Sequence, residues 1–445
     1  MSSDKEQDYF SDGLSEELID LLTQVPELRV PARTSSFYFR GKADDIAAIA
    51  HKLRVAHLLE GSVRKAGGRL RITAELIRAD SGYHLWSETF DRDAKDVFKV
   101  QDEIAAAVVG ALKIRLLSAP PDSSARQTQN AEAYSQYLLG RQILEQSDWN
   151  IAHRAVDAFR KAVALDPAYA PAWAGLAMAL DLGAQQESVS TSDFEKGRRA
   201  ALEAAEKAIA LAPDLADGYV SRGFMRAWEN RDFAGAAADY QRALALEPDN
   251  PKVLRGFAGS VLMPTGRLDE ALVAVQKTLR SDPLNSGYWR VLALTQWARH
   301  ECPAAIENFN RSLNLVSEQS NTAAFLGYCL LIENKPEEAI KVSQRATATP
   351  FRLQTAAMAE HDLGHQAEAE RLLQELIDHF KAQAAYQIAE VYARWGDRSH
   401  AFEWLDAAYT QNDGGLTMLK IDPMLDKLHG DPRFPGLLRK MNLPE

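Results

Sequence analysis

The chain has 445 residues, of which 46% are hydrophobic and 25% charged, enough for two or three folded units with real cores. Its net charge of -11 argues against a binder of nucleic-acid backbones, which needs concentrated Lys and Arg to displace counterions. Two cysteines are too few for a disulfide framework or a four-thiolate zinc site, and the apolar run Ile104 to Leu112 covers about half of the ~20 residues that span a bilayer.

In chain order, the first signal is an amphipathic helix over 12–24. Ser11 or Asp12 caps it, Glu16 and Glu17 suit its positive end, and Leu14, Leu18, Ile19, Leu21 and Leu22 form its apolar stripe. A short run "LRVPA" follows at 28–32, then a second helix over 44–54. "AHLLEGSVRK" and "RLRITAELIRA" flank Ala66-Gly67-Gly68 and predict a β-hairpin. Val63, Leu70, Ile72, Ala74 and Leu76 point to one side of it, and Arg64, Arg69, Arg71, Thr73 and Glu75 to the other. "YHLWSETFDR" supplies a third strand, and a helix over 96–117 packs back before "SAPPDSSARQTQN" interrupts every apolar period. The boundary therefore falls at 118–131, after a small α/β unit spanning 1–117.

The segments "DYFSDGLSEELIDLL", "RTSSF", "LLEGSVRKAGGRLRITAELI", "HLWSETFDR" and "VQDEIAAAVVGAL" together resemble the TolB-like amino-terminal domain of bacterial signalling proteins, where it precedes tetratricopeptide repeats. In that family an apolar strand comes before the stretch aligned with Met1. The resemblance thus implies that Met1 is an internal methionine or that the chain was cut. It also implies, in larger relatives, an upstream winged-helix or adenylate/guanylate cyclase domain behind a transmembrane helix.

Beyond 131 the pattern is helical to the end. The prolines closing "ALDP", "ALAP", "ALEP" and "RSDP" are Pro167, Pro213, Pro248 and Pro283; the last two intervals are 35 residues and the first is 46. That is one repeat of ~34 residues, with an insertion assigned to a loop at 181–197 in the longer interval. Eight helix pairs can be traced over 132–420, with Gly140, Ala155, Phe159 and Ala162 in repeat-like positions. They resemble tetratricopeptide repeats, which predicts an all-α superhelical solenoid of seven or eight units after the α/β domain. The segment 421–445, with Leu425, Leu428, Phe434, Leu437 and Leu438, reads as a cap.

Enzyme chemistry finds little support. His361 and His365 are four apart, but Gly364 occupies a turn between them and the glutamate of H-E-x-x-H is missing. Cys302 has His300 nearby but no evident oxyanion site, so one exposed and one packed thiol are expected of Cys302 and Cys329. Gly67-Gly68 amid Arg64, Lys65, Arg69 and Arg71 reads as a hairpin turn, since no helix follows to complete a phosphate loop. No catalytic residue, metal or cofactor is assigned.

The first helices of the repeats line the concave face, and by register Phe224, Trp228, Met263, Arg290, Leu294, Trp297, Asn321, Tyr328 and Met358 point into it. Such a channel suits an amphipathic helix or apolar peptide, oriented by Arg290 and Asn321. The favoured reading is a non-catalytic scaffold or regulatory module that binds a protein or peptide there. The alternatives are the regulatory portion of a nucleotide cyclase or transcriptional regulator, and a small-ligand sensor in the amino-terminal domain. As written the chain is expected to be soluble and cytoplasmic, or periplasmic within a membrane-anchored parent.

Overall fold

The computed structural model describes residues 5–23, 25, 28–40, 42, 45–66, 69–93, 96–111, 128–144, 151–184, 191–228, 230–317 and 321–444. The amino-terminal part is a three-stranded antiparallel sheet in the order β1 (His57–Ala66), β2 (Arg69–Arg78), β3 (His84–Asp93). Against it lie α1 (Lys5–Thr23), α3 (Ile46–Leu53) and α4 (Val97–Ala111), and the short α2 (Arg33–Phe37) comes between α1 and α3 in the chain. The predicted alternation holds. Leu70, Ile72, Ala74 and Leu76 are buried, whereas Arg69 and Arg71 reach across to Asp91 on the solvent face at 2.6 and 2.7 Å. The turn at Gly67-Gly68 lies outside the described residues, as does most of the predicted linker. The run at 28–32 forms no strand, because Pro31 lacks a backbone donor and α2 starts two residues later.

Eight helix pairs follow among the described residues: α5 (Ala131–Leu144) with α6 (Ala152–Leu165), α7 (Ala170–Ala184) with α8 (Thr191–Leu211), and α9 (Ala216–Trp228) with α10 (Phe233–Leu246). Next, α11 (Pro251–Phe257) runs into a π-helical turn (Ala258–Leu262) and pairs with α12 (Leu268–Ser281); α13 (Ser286–Ala298) pairs with α14 (Cys302–Leu315) and α15 (Thr322–Ile332) with α16 (Pro336–Ser343). The last pairs are α17 (Thr349–Asp362) with α18 (Gln366–Phe380), and α19 (Ala385–Trp395) with α20 (Arg398–Gln411). Two 3-10 turns (Gly414–Met418 and Pro423–Leu428) and α21 (Arg433–Lys440) follow. The expected loop at 181–197 is largely helix instead: α7 runs to Ala184 and α8 begins at Thr191, so part of the extra length is taken up in helical turns.

Local chemistry explains the repeat. Asn130, Asn250 and Asn285 cap first helices through their side-chain oxygens, and Pro251 sits at the first turn where no backbone donor is needed. The turn between the two helices of a pair needs a left-handed residue, supplied by Arg231, Gly266, His300, Asn334, Gly364 and Gly396 in turn. Glycines also let helices touch. An added Cβ at Gly175 would lie 2.3 Å from the fully buried Phe159 ring, and one at Gly140 2.8 Å from the same ring.

The chain divides into two compact units, and the division departs from the expected boundary. The first unit comprises 1–225, 241–248 and 281–283; the second comprises 226–240, 249–280 and 284–445. Within the first, the α/β part and the first repeats share one core, running from Leu14 and Leu70 through Tyr134 and Leu138 to Phe159. Gly13 accepts Leu138 closely, Gln101 donates to the Tyr134 hydroxyl at 2.9 Å, and Glu16 is clasped by Arg33 and Arg141. Helix α1 thus packs on α5, on α4 and on the sheet at β1.

Candidate functional site

The nine predicted groove residues do not share one environment. Met263, Leu294, Trp297, Tyr328 and Met358 are buried, none more than 7% exposed. Trp297 packs edge-on to Phe325 with ring centroids 5.4 Å apart, and Met263 accepts a hydrogen bond from the Thr295 hydroxyl onto its sulfur at 3.4 Å. The Tyr328 hydroxyl donates to Gln354 at 2.6 Å. These five are packing residues, and their assignment as open groove lining is corrected. The reason is visible in α15, where Phe325 is the one residue of 322–331 that is not buried; a helix apolar on all sides packs on all sides.

Phe224, Trp228, Arg290 and Asn321 are half-buried. The Asn321 side chain accepts from the Ala348 amide at 3.2 Å and so clips one repeat to the next. Phe224 belongs to the first unit, while Trp228 and Arg290 belong to the second. The Trp228 indole donates to the Ser260 hydroxyl at 3.0 Å, and the Arg290 guanidinium lies 5.5 Å from the Phe325 ring centre.

Ser260 sits in the π-helical turn that interrupts the first helix of the fourth repeat, where the Met263 amide reaches back five residues to Ala258 at 2.9 Å. Such one-turn widenings are concentrated at functional sites. Along this helix Val253, Leu254, Phe257, Val261 and Leu262 face inward to packing. The remaining stripe is Lys252, Arg255 and Gly259: both basic side chains are exposed, and a Cβ at Gly259 would meet nothing within 4 Å. The open surface of this first helix is therefore basic and bare of bulk, within the same unit as Trp228. Groove register from the repeat pattern missed these three residues. The signal was in the sequence: two cations three apart on a first helix, then an unneeded glycine one turn on.

The other chemical candidates resolve as structure. Cys302 and Cys329 are both buried and hydrogen-bond to each other, correcting the expectation of one exposed thiol; that contact lowers the Cys302 thiol and, with burial, raises Cys329. His361 stacks on Trp395 with centroids 5.0 Å apart, and His365 pairs with Glu360 at 2.6 Å, so the two imidazoles are engaged separately. Among the described residues no cluster of three His, Cys, Asp or Glu side chains is placed to hold a metal ion, and no helix is long and apolar enough to cross a membrane.

With paired antiparallel helices, a left-handed residue at six of the turns between them and glycines set against aromatic rings, the helical part has the pairing typical of a tetratricopeptide-repeat solenoid. Residues 227–294, which hold the π turn, match the tetratricopeptide repeat family model. Among curated proteins, the chain is 38% identical over 179 residues to a Rhizobium meliloti protein called "Putative adenylate cyclase 3", covering 40% of this chain and 30% of that protein. The match thus spans less than a third of that relative's length. Solved structures with similar helical arrays include Pseudomonas aeruginosa PilF, at 19% identity and TM-score 0.38 over 47% of this chain and 91% of that one. Human IFIT1, solved as a dimer with m7Gppp-AAAA, is 14% identical with TM-score 0.43, over 70% of this chain and 77% of its own.

Proposed function

We propose that this chain is a non-catalytic, protein-binding regulatory module whose binding face in the second unit is the open stripe of the fourth repeat's first helix. The observation that supports it most is the exposed Lys252 and Arg255 beside bare Gly259, on a helix widened at Ser260 where Trp228 is anchored. An extended peptide with acidic side chains and one apolar anchor fits that chemistry: the glycine admits close backbone approach and the two cations fix orientation. Of the expected groove, Trp228 and Arg290 keep a place in this reading as flanking contacts. The packed residues contribute only by holding the helices.

A second reading concerns the whole protein from which such a module would act. The relative named as an adenylate cyclase supports it: partner binding to the repeats would bias a cyclase domain outside this chain. Under that reading these 445 residues show no cyclase activity by themselves.

Panning a random-peptide library against the purified chain, followed by affinity measurements on the selected peptides, tests the proposal. Acidic peptides should be enriched, and the double substitution Lys252→Glu with Arg255→Glu should weaken them at least tenfold while circular dichroism stays unchanged. Enrichment of basic peptides, or affinities indifferent to the double substitution, would reject the stripe.

A further inference from the structure

The last repeat and the segment after it bury two carboxyl groups, and among the described residues neither forms an ion pair. Glu390 on α19 is 3% exposed, and Asp422 is 1% exposed at the start of the turn 423–428, where it accepts from the Met424 amide at 2.8 Å. Tyr386, one turn before Glu390, donates its hydroxyl to Asp422 Oδ2 at 2.8 Å. Gln354 of α17 donates to Glu390 Oε2 at 2.8 Å and is itself held by the Tyr328 hydroxyl of α15. Glu390 and Asp422 meet at this point, each acting on the other as a neighbouring negative charge when ionised.

Two ionised carboxylates held together in a buried site repel and lack hydration, so the pair favours keeping a proton on one of them. The surroundings decide which. Asp422 receives the Tyr386 hydroxyl and the Met424 amide, both of which favour its charged form; Glu390 receives a single amide. The other charges that reach the pair are acidic, Asp413 ahead of the turn 414–418 and Asp426 in the turn 423–428. From α15, α17 and α19 come the neutral Tyr328, Gln354 and Tyr386. His300 and His429 face Asp426 instead.

We propose that Glu390 and Asp422 share a single proton, carried on Glu390, and that this proton latches the carboxy-terminal segment 414–428 onto the last repeat. Removing it leaves two adjacent negative charges in a buried site, neither in an ion pair among the described residues, which opening relieves by admitting water. The sign follows from linkage. Burial raises both groups, Asp422 to about 6 and Glu390 well above its ordinary range, so the closed state holds a proton that exposed carboxyls release near pH ~4. The latch is at full strength below that value and weakens as pH rises, its last proton leaving only above the range of about 6 at which Asp422 titrates, where Glu390 gives up its own.

Hydrogen–deuterium exchange of the 414–440 amides between pH 5 and 9 tests this, with wild type and Glu390→Gln compared at each pH so that intrinsic exchange chemistry cancels. The glutamine keeps a donor toward Asp422 and an acceptor for Gln354 without any ionisation. The ratio of wild-type to variant exchange should climb with pH above 6, by up to about tenfold per unit for a one-proton linkage. Asp422→Asn keeps one acceptor oxygen where the carboxylate offered two, so its NH2 displaces one of the donated bonds from Met424 and Tyr386, and the segment should open more than in wild type at every pH. A ratio independent of pH, or Asp422→Asn tolerated as well as Glu390→Gln, overturns the proposal. Should Glu390→Gln not fold, wild-type exchange corrected for intrinsic rates decides: a corrected opening constant that is flat from pH 5 to 9 overturns it, and one that rises supports it.

Discussion

Truncating Trp297 distinguishes packing from binding at the inner helices. The side chain is 1% exposed and wedged between Phe325 and Tyr328, with ring centroids 5.4 and 6.5 Å away. Removing so large a buried ring leaves a cavity that rigid neighbours fill only in part, so Trp297→Ala should cost about 3–5 kcal/mol. For a unit of roughly 200 residues that corresponds to a melting midpoint lower by about 6–20 °C. The indole Nε1 meets no acceptor, so Trp297→Phe forfeits volume but no hydrogen bond and should cost only about 1–2 kcal/mol. Thermal unfolding followed by far-ultraviolet circular dichroism reads both. An alanine variant that melts within ~2 °C of wild type would refute the reasoning, because a cavity of that size cannot be neutral in a close-packed interior.

Three further outcomes follow from the same geometry. Gly175→Ala forces a methyl against the Phe159 ring and should cost about 1–3 kcal/mol, seen as an earlier urea midpoint with unchanged slope. Glu16→Ala leaves Arg33 and Arg141, both mostly buried, without their shared carboxylate, and should cost about 3 kcal/mol by the same assay. Cys302 and Cys329 should both resist a water-soluble thiol reagent in the native protein and react on unfolding; a fast-reacting thiol in the folded chain would contradict their burial.

Much of this architecture was legible because local signals agreed. Strand alternation in "RLRITAELIRA" placed Leu70 to Leu76 on the buried face, and the closing prolines with their small-residue positions gave the repeat pairs. Helix-turn positions were harder. Arg231 and His300 adopt left-handed backbone where pattern reading looks for glycine, so the 34- or 35-residue spacing of those turns shows only in three dimensions. The groove was read least well, because a one-residue shift on a helix turns a side chain by ~100°, from solvent to core. Sequence register alone could not tell that α13 and α15 are packed nearly all round, nor that the open stripe lies earlier, at Lys252, Arg255 and Gly259. The merging of the α/β part with the first repeats was also hidden, since it depends on contacts more than 100 residues apart, such as Arg141 with Glu16.

The most direct test of the binding claim is the hydrogen-exchange footprint of a library-selected acidic peptide on the intact chain. The account predicts protection concentrated over 226–228 and 251–262 and little change over the packed helices at 322–332 and 349–362. Protection confined to the sheet at 57–93, or to those packed helices, would place the binding face elsewhere and contradict it.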